Sequence, residues 1–133
     1  MAPNRNETAR RIFRPIGSSY ERWARVLSLG QDARWRRTMV EGLQLRSRAS
    51  MLDVASGTGS ITRLSQARGH RVTAVDLTPE MIRHHPGPLR VLARGECLPF
   101  SDGTFDALTF GYLLRYVDDP VACVAELARV VKA

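Results

Sequence analysis

The stretch Met51-Leu-Asp-Val-Ala-Ser-Gly-Thr-Gly-Ser60 constrains this chain more than any other part of it. Its apolar start reads as a short strand carrying Asp53, its glycines as a tight loop, and the residues from about Ser60 as a helix. A second short strand, Arg71-Val-Thr-Ala-Val-Asp76, follows and also ends on an acid. Strand, glycine turn, helix, strand and acid make up the pattern of a nucleotide-binding βαβ unit. In such a unit the glycines let backbone approach the ligand, and the acid meets ribose hydroxyls.

The loop departs from two phosphate-binding patterns. Thr62 stands where a dinucleotide loop has its third glycine, and no lysine follows as a P-loop requires. An acid before the turn opposes an anionic phosphate there and suits a ligand with a cationic group. Acid, Gly-x-Gly and ribose acid together resemble the first motifs of class I S-adenosylmethionine methyltransferases. That resemblance implies that Asp53, Gly57, Thr58 and Gly59 meet the methionine portion of S-adenosyl-L-methionine. Asp76 would accept from both ribose hydroxyls. Leu77 and Met81 would pack on the adenine, although Met81 serves equally well as core filling.

The strands and helices alternate along the chain, with strands expected at 50–54, 71–75, 89–93 and 105–110. Helices are expected at about 60–67, from Thr78-Pro79 for a short run, and from Asp119-Pro120 to about Val131. Alternation of this kind predicts an α/β fold, a Rossmann-like doubly wound parallel sheet with strand order 3-2-1-4. Ahead of it the reading is a disordered basic N-terminus over 1–12 and a helical cap over 13–48. The cap would hold one helix from Ser18 or Ser19 to about Leu29 and another from Asp32 to Leu43. These two helices either form a lid or pack as ordinary scaffold. Residues 49–133 form the cofactor-binding domain, which is expected to be incomplete.

Composition excludes several classes. A chain of 133 residues is one small domain or part of one. No segment approaches the ~20 apolar residues that span a bilayer, and no apolar run follows the N-terminal arginines as in a signal peptide. Cys97 and Cys123 make no metal pattern and read as free thiols, so no metal is expected. The whole net charge of +7 resides in residues 1–50, which carry eleven arginines and four acids. A basic arm of this kind fits an anionic membrane surface. Nucleic acid is not expected, because no aromatic platform accompanies the charge. The expected location is the cytoplasm, with peripheral contact at the inner membrane surface.

From about Phe13 onward the chain is similar to the ubiquinone and menaquinone biosynthesis C-methyltransferases. The similarity runs through Tyr20, Val26-Leu-Ser-Leu-Gly-Gln-Asp32, Arg34-Trp-Arg-Arg37 and Leu52-Asp-Val-Ala-Ser-Gly-Thr-Gly59. It continues through Glu96-Cys-Leu-Pro-Phe100, Phe105-Asp-Ala107, Leu114-Arg115-x-Val117 and Glu126-x-x-Arg129-Val130. The resemblance implies methyl transfer to a ring carbon of a lipophilic polyprenyl quinol, with Arg115 and Tyr20 beside the substrate. A guanidinium there would stabilise a phenolate or orient a water rather than act as a base.

The departures from the family bear on both ligands. The family's adenine-reading aspartate falls on Arg94, and a shifted register would use the Gly95-Glu96-Cys97 segment instead, with Glu96 and Cys97 as cofactor contacts. On the substrate side the family's asparagines are Ala24 and Tyr116, and an aspartate is Glu21. The alternatives are therefore a methyltransferase of another small molecule and a non-catalytic cofactor-binding fragment. Where the chain stops, the family continues into further strands. The fourth strand is then expected as a bare edge that favours self-association, with little turnover.

Overall fold

The centre of the sheet is β1 (Ser50–Val54), whose last four residues are buried. β2 (Arg71–Asp76) pairs with it in parallel on one side, from Ser50 opposite Arg71 to Val54 opposite Val75. β4 (Ala107–Phe110) pairs in parallel on the other side, from Met51 opposite Ala107 to Val54 opposite Phe110. β3 (Leu89–Leu92) adds to the outside of β2. The order is β3-β2-β1-β4, a parallel sheet of four strands, as the alternation of elements predicts. The computed structural model describes residues 5–13, 31–111 and 113–133. The helix expected at 18–29, together with Tyr20, Glu21, Ala24 and Tyr112, lies outside them.

Side chains alternate across the sheet with period two. Leu52, Val54 and Val75 face one layer and join Phe105, Leu113, Val117, Cys123, Leu127 and Val130 in the main core. That layer is closed by α5 (Pro120–Arg129), which starts on Pro120 and is capped by the Asp119 carboxylate accepting from the Ala122 N–H at 3.0 Å. Met51, Val72 and Ala107 face the opposite layer with Leu43 and Leu45. Asp53 lies in that second layer's register, opposite Ala74 and Thr109. There it meets α3 (Ser60–Ala67), which buries Ile61, Thr62 and Ser65. Among the described residues the remaining helices are α1 (Arg5–Phe13), α2 (Gln31–Gly42) and the short α4 (Pro79–Arg83), with a 3-10 turn at Leu113–Arg115.

Two expectations are corrected. Arg5–Phe13 is helical rather than disordered, and the helix is anchored. The Arg5 N–H donates to Asp118 Oδ1 at 3.0 Å, and Asn6 Nδ2 donates to Glu96 Oε1 at 2.9 Å and to Asp118 Oδ2 at 3.2 Å. A charge-based reading of residues 1–12 had no access to these long-range partners.

The outer edge of the expected 105–110 strand is also not bare at its start, just ahead of β4. Phe105 forms a parallel bridge with Val131, taking the Lys132 N–H at 2.9 Å and donating to the Val130 carbonyl at 2.9 Å. On α5 Val121 and Val124 are exposed, whereas Leu127 is buried at 4%.

Glu126 and Arg129, which carry part of the family resemblance, act as a clasp. Arg129 pairs with Glu126 at 2.8 Å and Asp102 at 2.7 Å, and donates to the Phe100 and Leu98 carbonyls. Glu126 in turn accepts from the Leu98 N–H at 2.8 Å. These bonds fix the loop 98–103 against α5, and their purpose is structural.

Candidate functional site

A pocket open to solvent on one side lies over the carboxyl ends of β1, β2 and β4. This is where a doubly wound sheet binds its ligand. Its floor is Val54 through Thr58 with Ser60 and Ile61, one wall is Asp76 to Thr78 with Met81, and the other is Gly111, Leu113, Tyr116 and Val117. Asn6 of α1 and Trp35 and Arg36 of α2 close over the mouth, and Ala93 and Gly95 complete the lining.

The floor takes its shape from unusual backbone. Ala55 (φ 54), Gly57 (φ 58) and Gly59 (φ 90) all stand at positive φ, which turns the chain sharply from β1 into α3. The Ser56 N–H donates to the Val75 carbonyl at 3.0 Å, tying the loop to β2.

Asp76 stands at the end of β2, on the pocket wall. Its Oδ2 accepts from the Gly57 N–H at 2.9 Å and its Oδ1 from the Thr78 N–H at 2.8 Å. These two backbone donors orient the carboxylate. The Thr78 hydroxyl and the Leu77 N–H also approach the carboxylate and help to hold it in place. Burial raises its pKa above the ordinary carboxylate value, while the bonds from Thr78 and Gly57 counter the rise.

Asp53 is placed differently from the sequence reading. It is 1% exposed and lies behind the glycine loop, not on the pocket wall. Thr62 Oγ1 donates to its Oδ2 at 2.7 Å, and Thr109 Oγ1 lies 3.4 Å from its Oδ1. Burial pushes its pKa up to about 7 despite both hydroxyls. The strand pattern put Asp53 near the loop but did not show which face it takes.

The other expected residues divide clearly. Gly57, Thr58, Asp76, Leu77 and Met81 are brought together on the pocket, whereas Gly59, Glu96, Cys97 and Arg115 are not part of its lining. Gly59 supports the loop from behind. Glu96 turns to Asn6, and Cys97 is exposed. Arg115 is exposed on the turn beside the lining residue Tyr116. Arg94 is also outside the lining, pairing with Glu96 at 3.5 Å and Asp118 at 3.7 Å, while Ala93 and Gly95 on either side of it line the pocket.

Asn6, Trp35 and Arg36 were missed as lining residues. Asn6 had no signal in the sequence, whereas Trp35 and Arg36 sat in a family-like motif without an assigned position. No three-member group of His, Cys, Asp or Glu able to hold a metal occurs among the described residues. Among the same residues, no helix is long and apolar enough to cross a membrane.

Residues 52–133 match the family described as Methyltransferase domain. The chain is 37% identical over 141 residues to the ubiquinone/menaquinone biosynthesis C-methyltransferase UbiE of Citrifermentans bemidjiense, covering 96% of this chain and 60% of that protein. It is 33% identical over 137 residues to a demethylmenaquinone methyltransferase of Tropheryma whipplei, covering 92% of this chain and 54% of that one. A solved SAM-dependent methyltransferase of Aquifex aeolicus superposes with a TM-score of 0.62 at 21% identity. That match covers 73% of this chain and 58% of the other, and supports the fold alone. The chain thus spans about half the length of the curated relatives it matches.

Proposed function

Since the chain belongs to the methyltransferase-domain family, we propose that it binds S-adenosyl-L-methionine and methylates a ring carbon of a lipophilic quinol. The observation that carries this is the oriented Asp76 carboxylate, which shares one pocket with the positive-φ loop at Ser56–Thr58. The pocket fits the cofactor on three counts. Asp76 presents an oriented carboxylate to ribose hydroxyls, the loop presents backbone with little side chain, and Leu77 and Met81 supply an apolar shelf for the adenine. When bound, the cofactor supplies an electrophilic methyl on a sulfonium.

What the chain supplies is orientation and exclusion of water. Leu113, Tyr116 and Val117 form the acceptor side of the pocket under this reading, and Arg115 lies on the same turn to hold the charge of an ionised ring hydroxyl. Tyr20 is assigned to the same side by the family resemblance. With the cofactor held by Asp76 and the Ser56–Thr58 loop, its methyl would pass to the ring carbon, and the ring proton would leave to water on the Leu113–Val117 side. The segment 13–48 acts as a cap in this reading, supported by Trp35 and Arg36 at the mouth. Exposed Arg10 and Arg11 of α1 fit an anionic membrane surface on the cytoplasmic side.

Titration calorimetry with S-adenosylhomocysteine tests the cofactor assignment. Asp76→Ala removes two charge-assisted acceptors and is expected to weaken binding by about 1.5–3 kcal/mol. Equal affinity in both proteins removes the ribose assignment, and no binding to the wild type removes the cofactor. A labelled methyl transferred to a demethylquinol identifies the acceptor class, and its absence with bound cofactor favours another small molecule.

Self-association through the far end of the β4 edge and the exposed Val121 and Val124 is proposed as well. Sedimentation at rising concentration is expected to show it, and a monomer throughout would rule it out.

A further inference from the structure

Behind the pocket floor, three buried side chains form one directed chain of hydrogen bonds. The Gly87 N–H donates to His85 Nδ1 at 3.0 Å. A neutral imidazole that accepts at Nδ1 carries its proton on Nε2. His85 Nε2 lies 3.1 Å from Thr62 Oγ1, so it donates there, and Thr62 Oγ1 donates onward to Asp53 Oδ2 at 2.7 Å. His85 is 3% exposed, Thr62 0% and Asp53 1%. Every bond in the chain has one donor and one acceptor. A second proton on the imidazole would set Nδ1–H against the Gly87 N–H.

The same imidazole is the wall behind the loop. A Cβ added at Gly59 would stand 2.9 Å from His85 Nε2, 3.0 Å from its Cδ2 and 2.6 Å from Pro86 Cδ. Gly59 in turn holds the loop, donating its N–H to the Ser56 carbonyl at 3.0 Å and accepting from the Arg63 N–H at 2.9 Å. The His85 carbonyl takes Arg90 Nη1 at 3.1 Å, which anchors this corner to β3. The charged groups around the ring are Arg63 and Arg90, and both disfavour a second positive charge there.

We propose that His85 is a positioning residue for the ligand loop. It orients Thr62 and Asp53 beneath the first turn of α3 and sets the Ser56–Thr58 backbone by contact at Gly59. The identity of the ligand used below rests on the proposed function, whereas the positioning itself belongs to the free protein. Neither the glycine motif nor the ribose acid predicts this role, since His85 falls in a turn between α4 and β3.

The test combines a spectroscopic signature with a rescue. In the free wild type at neutral pH, nitrogen shifts of His85 are expected to show a neutral ring protonated at Nε2. An Nδ1-protonated or averaging ring overturns the proposal. Thr62→Val keeps the volume but breaks both links. It is expected to speed exchange of the Gly59 amide and weaken S-adenosylhomocysteine binding, each by about tenfold. Thr62→Ser restores the hydroxyl and is expected to stay within about twofold of wild type. His85→Phe keeps a ring against Gly59 while removing the donor, and is expected to behave as Thr62→Val does. Wild-type exchange and affinity in a folded Thr62→Val or His85→Phe protein overturns the proposal. If Thr62→Val does not fold, the tautomer and the His85→Phe exchange rate decide it. A wild type that binds no S-adenosylhomocysteine defeats the cofactor reading, while the tautomer and the exchange rates still decide the positioning.

Discussion

Replacing Gly59 by alanine is expected to destabilise the protein by about 2–5 kcal/mol, the sum of two separate costs. Gly59 stands at φ +90, where an L side chain costs about 1–2 kcal/mol. Its new Cβ would also meet Pro86 Cδ at 2.6 Å and the His85 ring at 2.9 and 3.0 Å. Neither neighbour is the free end of a flexible chain, so the corner must shift, and overpacking of this kind costs about 1–3 kcal/mol.

Gly57 is the control, because the two glycines share a loop but not an environment. Gly57 lies at φ +58 with nothing within 4 Å of an added Cβ, and its neighbourhood is the open pocket. Gly57→Ala therefore carries only the backbone strain of about 1–2 kcal/mol, while its methyl occupies ligand space. Urea titrations should rank Gly59→Ala well below Gly57→Ala. Equal midpoints for the two variants would show that the His85–Pro86 wall yields freely.

The sheet and its order were legible because the central strands β1 and β2, largely buried, leave clear apolar runs, and because proline and glycine mark the ends of the helices. Gly57, Thr58, Asp76, Leu77 and Met81 were legible for a related reason: loop chemistry and strand ends are local properties. Asp53 and Glu96 show where local reading stops. Which way an acid on a strand or a turn faces depends on partners far along the chain, here Thr62 and Thr109 for Asp53 and Asn6 for Glu96. His85 gave no signal at all, since its role needs Gly59, Thr62 and Gly87 to converge in space. Arg94 fell on the register of the family's adenine-reading aspartate, yet it pairs with Glu96 and Asp118, and its neighbours Ala93 and Gly95 line the pocket in its place.

The pH dependence of stability is expected to be shallow between pH 4 and 6.5, because buried His85 opposes two buried acids, Asp53 and Asp76, whose pKa values burial raises. Burial raises the Asp53 pKa from the usual 3.8 to about 7, so between those values the folded protein holds more protons than the unfolded chain. Stability from Asp53 therefore falls as pH rises through that window. Burial first, and then Arg90 and Arg63, lower the His85 pKa from the usual 6.5 to about 4. Across that window the unfolded chain holds more protons, so stability from His85 rises with pH.

A tenfold change in proton affinity is worth about 1.4 kcal/mol, and relaxation and screening around the groups reduce the total. Each contribution is then of order 1–3 kcal/mol. Single substitutions should expose them with opposite signs. Asp53→Asn leaves His85 opposed by Asp76 alone, so its stability should climb from pH 4 to 6.5. His85→Phe leaves Asp53 and Asp76, so its stability should decline from pH 4 to 7. Below this range all three proteins should lose stability together, as Glu126 is protonated. Arg129 holds its pKa down from the usual 4.5 to about 2, so its contribution is present above 4.5 and lost as pH falls toward 2. Urea midpoints for the three proteins at pH 3, 4, 5.5 and 7 measure all of this. Parallel slopes for Asp53→Asn and His85→Phe between pH 4 and 6.5 would mean that the two groups do not titrate as buried partners of one hydrogen-bonded chain.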